Sequence, residues 1–522
     1  MSKKEKVIPT NLSISALEEE IKREKYKSKY TKILRSTIYA LIIIASISAL
    51  IGTFIMPVLE VNNTTMKPLL ENNEIVLSLK TKKLKQGDII AFYQGNKILI
   101  KRVVAVPGNY ISIDEEGNVY VDGERIVKID NNDVTDEGYE VIDGKGKYLL
   151  PGLINLHVHM FGSGKPSKIL GGGSLQQYVI KAASTEVGRK VLKKILAKNM
   201  KDALYSGVTT LRAVGDFFYS DLEIRDLIND NKLIGPTILA SGPAITVPSG
   251  HGDKTFALTG STNEELVNIV EQNASHNVDL IKICITGGVM DAKVKGEPGE
   301  VKMDLEMAKA ICDKAHELNY MVASHTESKK GVEIAVKSGV DTIEHGSIFD
   351  DDTARLMKNH NTAFVCTLSP ALPLASFDPK ITKLNSMCVY NAKVVFDNMV
   401  EGISKALRYY IPVGLGTDSS CPFVSQYNMW REIYYFAKYL NVSNSFALYT
   451  ATLQNAIILK MEKDIGSIET GKIADMIMVD NDPLVDLKAL KDIHMVISKG
   501  KIYKDCKIKK DEKMERELDK LL

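Results

Sequence analysis

The sequence has no cysteine before Cys284, and its six cysteines form no C-x-x-C pair and follow no regular spacing. That excludes a disulfide framework and a thiolate zinc knuckle, and leaves the six as core or surface thiols that say little about compartment. An excess of charge is also missing: 67 Lys and Arg against 65 Asp and Glu give a formal net charge of +2. No Lys/Arg-rich motif follows the long apolar run described below, so nucleic acid is not an expected partner. Low-complexity tracts and internal repeats are absent too, and 44% hydrophobic with 25% charged residues is a folded composition. At 522 residues the chain is long for one domain, so at least two packed cores are expected.

From Ser36 to Leu59, "STIYALIIIASISALIGTFIMPVL" carries no charge. At ~1.5 Å per residue this is about 36 Å of helix, enough to cross a hydrocarbon core ~30 Å thick. Residues 36–59 are therefore expected to be a transmembrane helix in contact with membrane lipid, since the polar stripe of a soluble helix is missing. The preceding "KREKYKSKYTKILR" has seven basic residues and one Glu. By the positive-inside rule the N-terminus is cytoplasmic and everything after Leu59 lies outside, giving a single-pass cell-membrane protein. The run is too long for the apolar region of a cleaved signal peptide, and no A-x-A-like site follows.

Between Glu60 and about Val127, short runs such as "NEIVLSL", "GDIIAFY", "KILIKRVVAV", "YISI" and "NVYVDG" alternate with Gly, Asn and Pro signals, which predicts a small all-β domain. After Pro151 the texture changes. "GLINLHVH", "GVTTLRAVG", "TILASGPAI", "LIKICIT", "MVASHT", "TIEHGS", "AFVCTLS" and "PVGLGTDSS" are eight strand-like runs separated by amphipathic helices, the pattern of a (β/α)8 TIM barrel. "GSIETGKIADMIMVDNDP" and "MVISKGKIYK" return to hairpin patterning, and the Lys/Glu-rich segment from Lys504 to Leu522 reads as a solvated helix.

His157 and His159 are two apart on the first of these strands, so period-two alternation turns both imidazoles to one side, where a single metal can take both. Lys282, His325, His345 and Asp418 each lie within a strand or near its C-terminal end, which is where barrel active sites are built. A lysine in so apolar a strand as "LIKICIT" cannot stay charged and unpaired without a large desolvation cost. Either it forms a buried ion pair, or its neutral amine reacts with CO2 to give a carbamate, whose two oxygens can bridge two divalent cations.

Residues from about Glu140 to Lys504 resemble the amidohydrolase superfamily in its two-metal branch, through "PGLINLHVH", "GVTTLR", "IKICITGG", "SHTE", "IEHG", "GTDS" and "GSIETGKIADMIMVD" in that order. The resemblance implies that His157, His159 and Asp418 bind the more buried of two divalent ions, that His325 and His345 bind the more exposed one, and that carboxylated Lys282 bridges them. Zinc suits such a donor set. The implied reaction is hydrolysis of a C–N bond: a metal-bridging hydroxide attacks a polarised amide carbonyl, while Asp418 takes the proton and delivers it to the departing nitrogen. "GPAITVPSGHGD" and "TGGVMD" are similar to the imidazolonepropionase-like and Xaa-Pro dipeptidase-like members, which cleave cyclic amides, dipeptides or N-acyl amino acids. Imidazolonepropionase does not use the bridging lysine, so Lys282 favours the dipeptidase-like side. His251 either helps bind substrate or structures its loop, and Arg212 either meets a substrate carboxylate or pairs within the barrel.

Residues 36–126 resemble the type I signal peptidases of Gram-positive bacteria. "NNTTMKPLLENNEIV" stands where that family has its Ser-Met-x-Pro-Thr-Leu box, and "ILIKRVVAVPGN" where it has its Lys-Arg box. Thr65 occupies the place of the nucleophilic serine and Lys101 that of the base. Leu69 and Asn109 depart from the pattern, and the family's later Gly-Asp-Asn and Ser-x-Asp-Arg segment is absent. The extra methyl of threonine fixes χ1 and crowds its approach to the Lys101 amine.

The expected layout is a basic cytoplasmic segment (1–35), a transmembrane helix (36–59), a truncated signal-peptidase-like β domain (60–126), β-sandwich segments (127–150 and 463–504), an amidohydrolase barrel (151–462) and a charged tail (505–522). "NVYVDGERI" fits a strand of both families, which makes it the splice point. Three functional readings stand open: a membrane-tethered two-metal amidohydrolase for a small amide or dipeptide, a signal-peptidase-like enzyme with a fused amidohydrolase, and a non-catalytic chimera.

Overall fold

The computed structural model describes residues 13–61, 69–79, 88–94, 97–102, 117–131, 138–167 and 174–522. The chain divides into two units, residues 1–64 with 70–107, and residues 65–69 with 108–522.

The first unit opens with α1 (Ile14–Leu50), capped by Ser13, whose hydroxyl accepts from the Ala16 N–H at 3.4 Å, and continued by a π turn over Ile51–Ile55. The helix starts 22 residues before the expected Ser36 (36 − 14). The basic stretch ahead of the apolar run contains neither Gly nor Pro, and Lys27 pairs with Glu24 one turn away at 2.9 Å. No residue of α1 is buried, and it is long and apolar enough to cross a membrane. Two antiparallel pairs follow, β1 (Val58–Glu60) with β2 (Ile75–Leu77), and β3 (Ile89–Gln94) with β4 (Lys97–Arg102). The expected strand "YISI" lies outside the described residues.

The second unit begins with a hairpin, β5 (Asn118–Asp122) and β6 (Arg125–Asp130). Its surroundings show which side of the splice point owns it. Ile126, 1% exposed, packs in a cluster with Ala474, Met476, Met478, Met495 and Ile497. The Ile126 N–H donates to Lys472 C=O at 2.9 Å, Ile126 C=O accepts from the Gly471 N–H at 2.7 Å, and Arg125 pairs with Asp464 at 3.0 Å. The hairpin covers an antiparallel sheet ordered β20-β19-β18-β7, made of β7 (Tyr148–Pro151), β18 (Met476–Val479), β19 (Met495–Ser498) and β20 (Lys501–Lys504). The expected boundary at 126 thus cuts through β6, a strand that pairs with β5 and packs with it on the C-terminal sheet.

Between these β segments runs an alternation of parallel strands and helices. One sheet is ordered β10-β9-β8, from β8 (Leu153–Val158), β9 (Val208–Ala213) and β10 (Thr237–Ala240). The other is ordered β12-β11-β13-β14-β15-β16-β17, from β11 (Ala244–Thr246), β12 (Ala257–Thr259), β13 (Leu280–Cys284), β14 (Met321–Thr326), β15 (Thr342–His345), β16 (Ala363–Cys366) and β17 (Val413–Leu415). Every residue of β8, β9, β13, β15, β16 and β17 is buried, which is why these strands read as near-continuous apolar runs rather than alternating ones. The sheets are hydrogen-bonded at both flanks: a parallel bridge joins Val158 to Ser419, and the Asp279 N–H donates to Ala240 C=O at 2.8 Å. The run "TILASGPAI" is not one strand but β10 and β11, broken where Gly242 takes φ +65° ahead of Pro243.

Side-chain caps start the helices behind the strands. Thr262, Asp304, Ser328 and Asp350 each accept a backbone N–H in the first turn of Asn263–Ser275, Leu305–Glu317, Lys329–Ser338 and Asp351–His360. The C-terminal helix, Glu512–Leu518, differs from the expected solvated one. Met514 and Leu518 are buried among Leu374, Phe377, Leu384, Cys388 and Phe423, and buried Arg431 donates to Glu515 at 2.7 Å and Asp519 at 2.6 Å. Two apolar residues four apart are enough to seat one face of a helix whose other positions are charged.

Ile126→Ala is expected to cost the second unit about 2–5 kcal/mol, read by denaturant unfolding of Trp430, the chain's single tryptophan, which is 2% exposed. An unchanged midpoint would detach the hairpin from this unit.

Candidate metal centre

The ends of the parallel strands bring five predicted residues, joined by Glu327, into two adjoining groups. In the first, ligand atoms of His157, His159 and Asp418 lie within 4.8 Å of one another, and Asp418 Oδ1 is 3.4 Å from Nε2 of each histidine. In the second, His325 and His345 gather with Glu327 within the same limit. The groups adjoin through the His157 and His345 rings, whose centroids are 4.8 Å apart.

Hydrogen bonds fix which nitrogen each ring presents. His159 Nδ1–H donates to Gly215 C=O at 2.6 Å, and His157 Nδ1–H donates to the Glu344 carboxylate at 2.7 Å, so both offer an Nε2 lone pair toward Asp418. His325 Nε2–H donates to Gly287 C=O at 3.3 Å, leaving Nδ1 free, and His345 Nδ1 lies 2.7 Å from Thr367 Oγ1. Burial holds the pKa of His325 and His345 well below the usual imidazole value, which keeps both neutral and able to ligate.

Backbone conformation does part of the aiming. His345 has φ +64° and Asp418 φ +54°, left-handed values that cost a non-glycine residue of order 1–3 kcal/mol. Adjacent strand residues normally face opposite ways, yet Glu344 bonds to His157 while His345 joins the second group. The turn at His345 makes both possible. At Gly416 a Cβ would sit 2.5 Å from His157 Cβ and 2.6 Å from its backbone nitrogen, so only glycine lets the β17 segment lie against β8.

Lys282, on β13, is 2% exposed, and its Nζ has no hydrogen-bond partner. Burial lowers its pKa, partly countered by Glu344. An orphaned buried amine beside two clusters of imidazoles and carboxylates fits a pair of divalent cations and a further anionic ligand built on that nitrogen.

Other predicted residues fall differently. Arg212 does not reach a substrate-facing surface: it is fully buried, with Nε donating to Leu156 C=O (2.7 Å), Nη1 to Thr342 Oγ1 (3.1 Å) and Nη2 to Glu344 Oε1 (2.7 Å). Its donors are used inside the strands, so its substrate-contact reading gives way to the pairing one. His251 lies at the second group, stacked on His325 with centroids 3.9 Å apart. Burial opposes its charge, but hydrogen-bonded Asp291 outweighs this and raises its pKa. Lys101 lies on β4, exposed, with Ile90 as its cross-strand neighbour, whereas Thr65 lies outside the described residues.

Reading by motif alone did not single out Glu344, Glu327, Asp291 or Cys421. Glu344 is fully buried, and although burial would raise its pKa, Arg212 and His157 hold it well below the usual carboxylate range. Burial pushes Glu327 up to about 8. The Cys421 thiol donates to Asp418 Oδ2 at 3.3 Å. Glu344 and Glu327 sit inside the quoted "IEHG" and "SHTE", so their closeness to the motif histidines was the available signal.

The donor set, at the ends of parallel strands, is that of a metal-dependent hydrolase. The model described as "Amidohydrolase family" matches residues 148–503, and the chain belongs to that family. A second model, "Signal peptidase, peptidase S26", matches residues 34–148. Among solved structures, a Bifidobacterium longum protein assigned as a prolidase is 35% identical, with a TM-score of 0.67, over 77% of this chain and 93% of its own. A Xaa-Pro dipeptidase with methionine bound in its active site is 28% identical, with a TM-score of 0.65, over 74% of this chain and 94% of its own. Ochratoxinase of Aspergillus niger is 25% identical over 339 residues, 59% of this chain and 68% of its own.

Glu344→Gln is expected to lower divalent-metal affinity about 10–100-fold by loosening the hold on His157, measured by competition with a chromogenic chelator. Unchanged affinity would mean that the ring is oriented without this carboxylate.

Proposed function

We propose that the second unit is a two-metal hydrolase of a small amide, built on a closed (β/α)8 barrel with a small β-sandwich, and that α1 tethers it to a membrane. The unpartnered Lys282 amine carries this reading. Attack of the neutral amine, which its burial favours, on CO2 with loss of a proton to solvent gives a carbamate that carries a negative charge and supplies two oxygens. His157, His159 and Asp418 would hold one ion and His325 and His345 the other, with the carbamate shared; imidazole and oxygen donors suit zinc. When bound, the ions supply Lewis acidity toward a carbonyl and lower the pKa of water. The flanking bonds between the two parallel sheets support the barrel.

The residues of the chain divide the remaining work. Asp418 takes the proton of the attacking water and returns it to the departing nitrogen. His251, steadied by Asp291, faces the substrate side of the second group. Phe161, Phe217 and Phe256 line the His159 side, with His159 and Phe256 centroids 5.1 Å apart and Phe161 and Phe217 4.6 Å apart, an apolar wall for a substrate side chain. The names borne by the relatives at 35% and 28% identity favour a dipeptide over a cyclic amide or N-acyl amino acid.

An apolar helix with no buried residue supports the tether, and the basic residues ahead of it favour an N-terminus in the cytoplasm with both later domains outside. The match over residues 34–148 supports the alternative reading, a signal-peptidase-like enzyme acting through Thr65 and Lys101, while Leu69, Asn109 and the absent Gly-Asp-Asn segment count against it. Loss of signal-peptide cleavage in Lys101→Ala would support it, and no cleavage by the intact chain would remove it.

Elemental analysis of the purified chain should find about two divalent ions per molecule; a trace only would end the two-metal reading. Asp418→Asn should keep most of the metal and lose roughly 10²–10⁴-fold in turnover on the dipeptide the enzyme cleaves. Near-normal turnover would take the proton-transfer role away from Asp418.

A further inference from the structure

Two helices, α2 (Ser174–Ser184) and α3 (Glu186–Tyr205), follow β8. α3 buries Leu192, Leu196, Met200 and Leu204 on one side. Its opposite side carries Val187, Val191 and Ile195, which recur every four residues and are 72%, 52% and 41% exposed; Tyr178 and Val179 of α2 are 70% and 46% exposed. At helical spacing, Lys194 and Lys198 fall within this apolar stripe, with Lys190 and Lys201 along its edge. The two helices hold seven cations, Lys181, Arg189, Lys190, Lys193, Lys194, Lys198 and Lys201, against Glu186 and Asp202, a balance of +5 (7 − 2) compared with +2 for the whole chain.

We propose that this face of α2 and α3 docks on the surface of an anionic phospholipid bilayer. Charge complementarity selects that occupant. Arg189 lies over Phe218 and Lys193 pairs with Glu223, away from this stripe, which leaves Lys190, Lys194, Lys198 and Lys201 on or beside it. A second copy meeting the same face across a twofold axis would set these lysines against their own copies. A bilayer surface offers negative headgroups and apolar chains within a few ångströms of depth, which suits Val187, Val191 and Ile195 entering the acyl boundary while the lysines stay among the headgroups. The inference rests on the tethering by α1, which brings the unit within reach of a bilayer, but the two are separable by experiment.

The full chain carrying Val191→Trp is placed in vesicles of phosphatidylcholine with brominated acyl chains, with or without about 30% phosphatidylglycerol. Native Trp430 is 2% exposed and serves as the unquenched reference. The introduced indole is expected to shift to shorter wavelength and be quenched severalfold more in the anionic vesicles. High salt should weaken the effect, and combining Val191→Trp with Lys190→Glu, Lys194→Glu, Lys198→Glu and Lys201→Glu should abolish it. Equal, unquenched emission in both vesicle types would overturn the proposal, as would a shift that persists in detergent and grows with protein concentration, the behaviour of a contact between copies. Resistance to carbonate extraction reports the α1 tether separately. A chain that stays in the membrane with an unquenched indole refutes docking alone, and one that is extracted by carbonate yet quenched at neutral pH refutes the tether alone.

Discussion

The centre depends on one buried ion pair, Arg212 with Glu344. Each ion withdrawn from water costs several kcal/mol, and the cost is met only where geometry is good and the remaining donors are satisfied. Here Nε, Nη1 and Nη2 of the guanidinium all have partners, and Glu344 also accepts from Thr342 Oγ1 at 2.6 Å and from His157. The pair thereby ties β8, β9 and β15 together at the level of His157 and keeps Glu344 ionised to orient that ring. Removing one partner would leave the other charged and alone among buried strands, so the pair acts through specificity of arrangement more than through net stability.

The same concentration of polar groups explains the backbone strain around it. Left-handed conformations at His345 and Asp418 survive because each side chain is held from several directions, His345 by Thr367 and the neighbouring rings, Asp418 by two histidines and the Cys421 thiol. Strain and ligand placement are then two descriptions of one arrangement, with the cost borne by the packed strands beneath.

Much of this was legible in the sequence, for reasons that can be named. His157 and His159 obey the period of a strand, so their shared direction follows from spacing alone. The parallel strands are visible because strands buried on both faces are unbroken apolar runs. The arrangement of Glu344 and His345 was not legible, because a left-handed residue breaks the period that the reading relies on. Arg212 stood between two readings because its partner lies 132 residues away on another strand. The C-terminal helix was misread because its charged residues outnumber Met514 and Leu518, although those two decide where it sits. The hairpin at the splice point matches the pattern of both flanking families, and only its long-range partners show which sheet it packs on.

That hairpin also has a history imposed by the direction of synthesis. Arg125 donates to Gly471 C=O across 346 residues, so the ribosome makes β5 and β6 long before the strands that cover them exist. Through that interval Ile126 and its neighbours have no mate, and closing so distant a contact carries a large loop-entropy cost. The hairpin and the sheet it packs on are therefore the slow, non-local part of the fold, and an unfinished chain offers a lone apolar hairpin to chaperones or to other nascent chains.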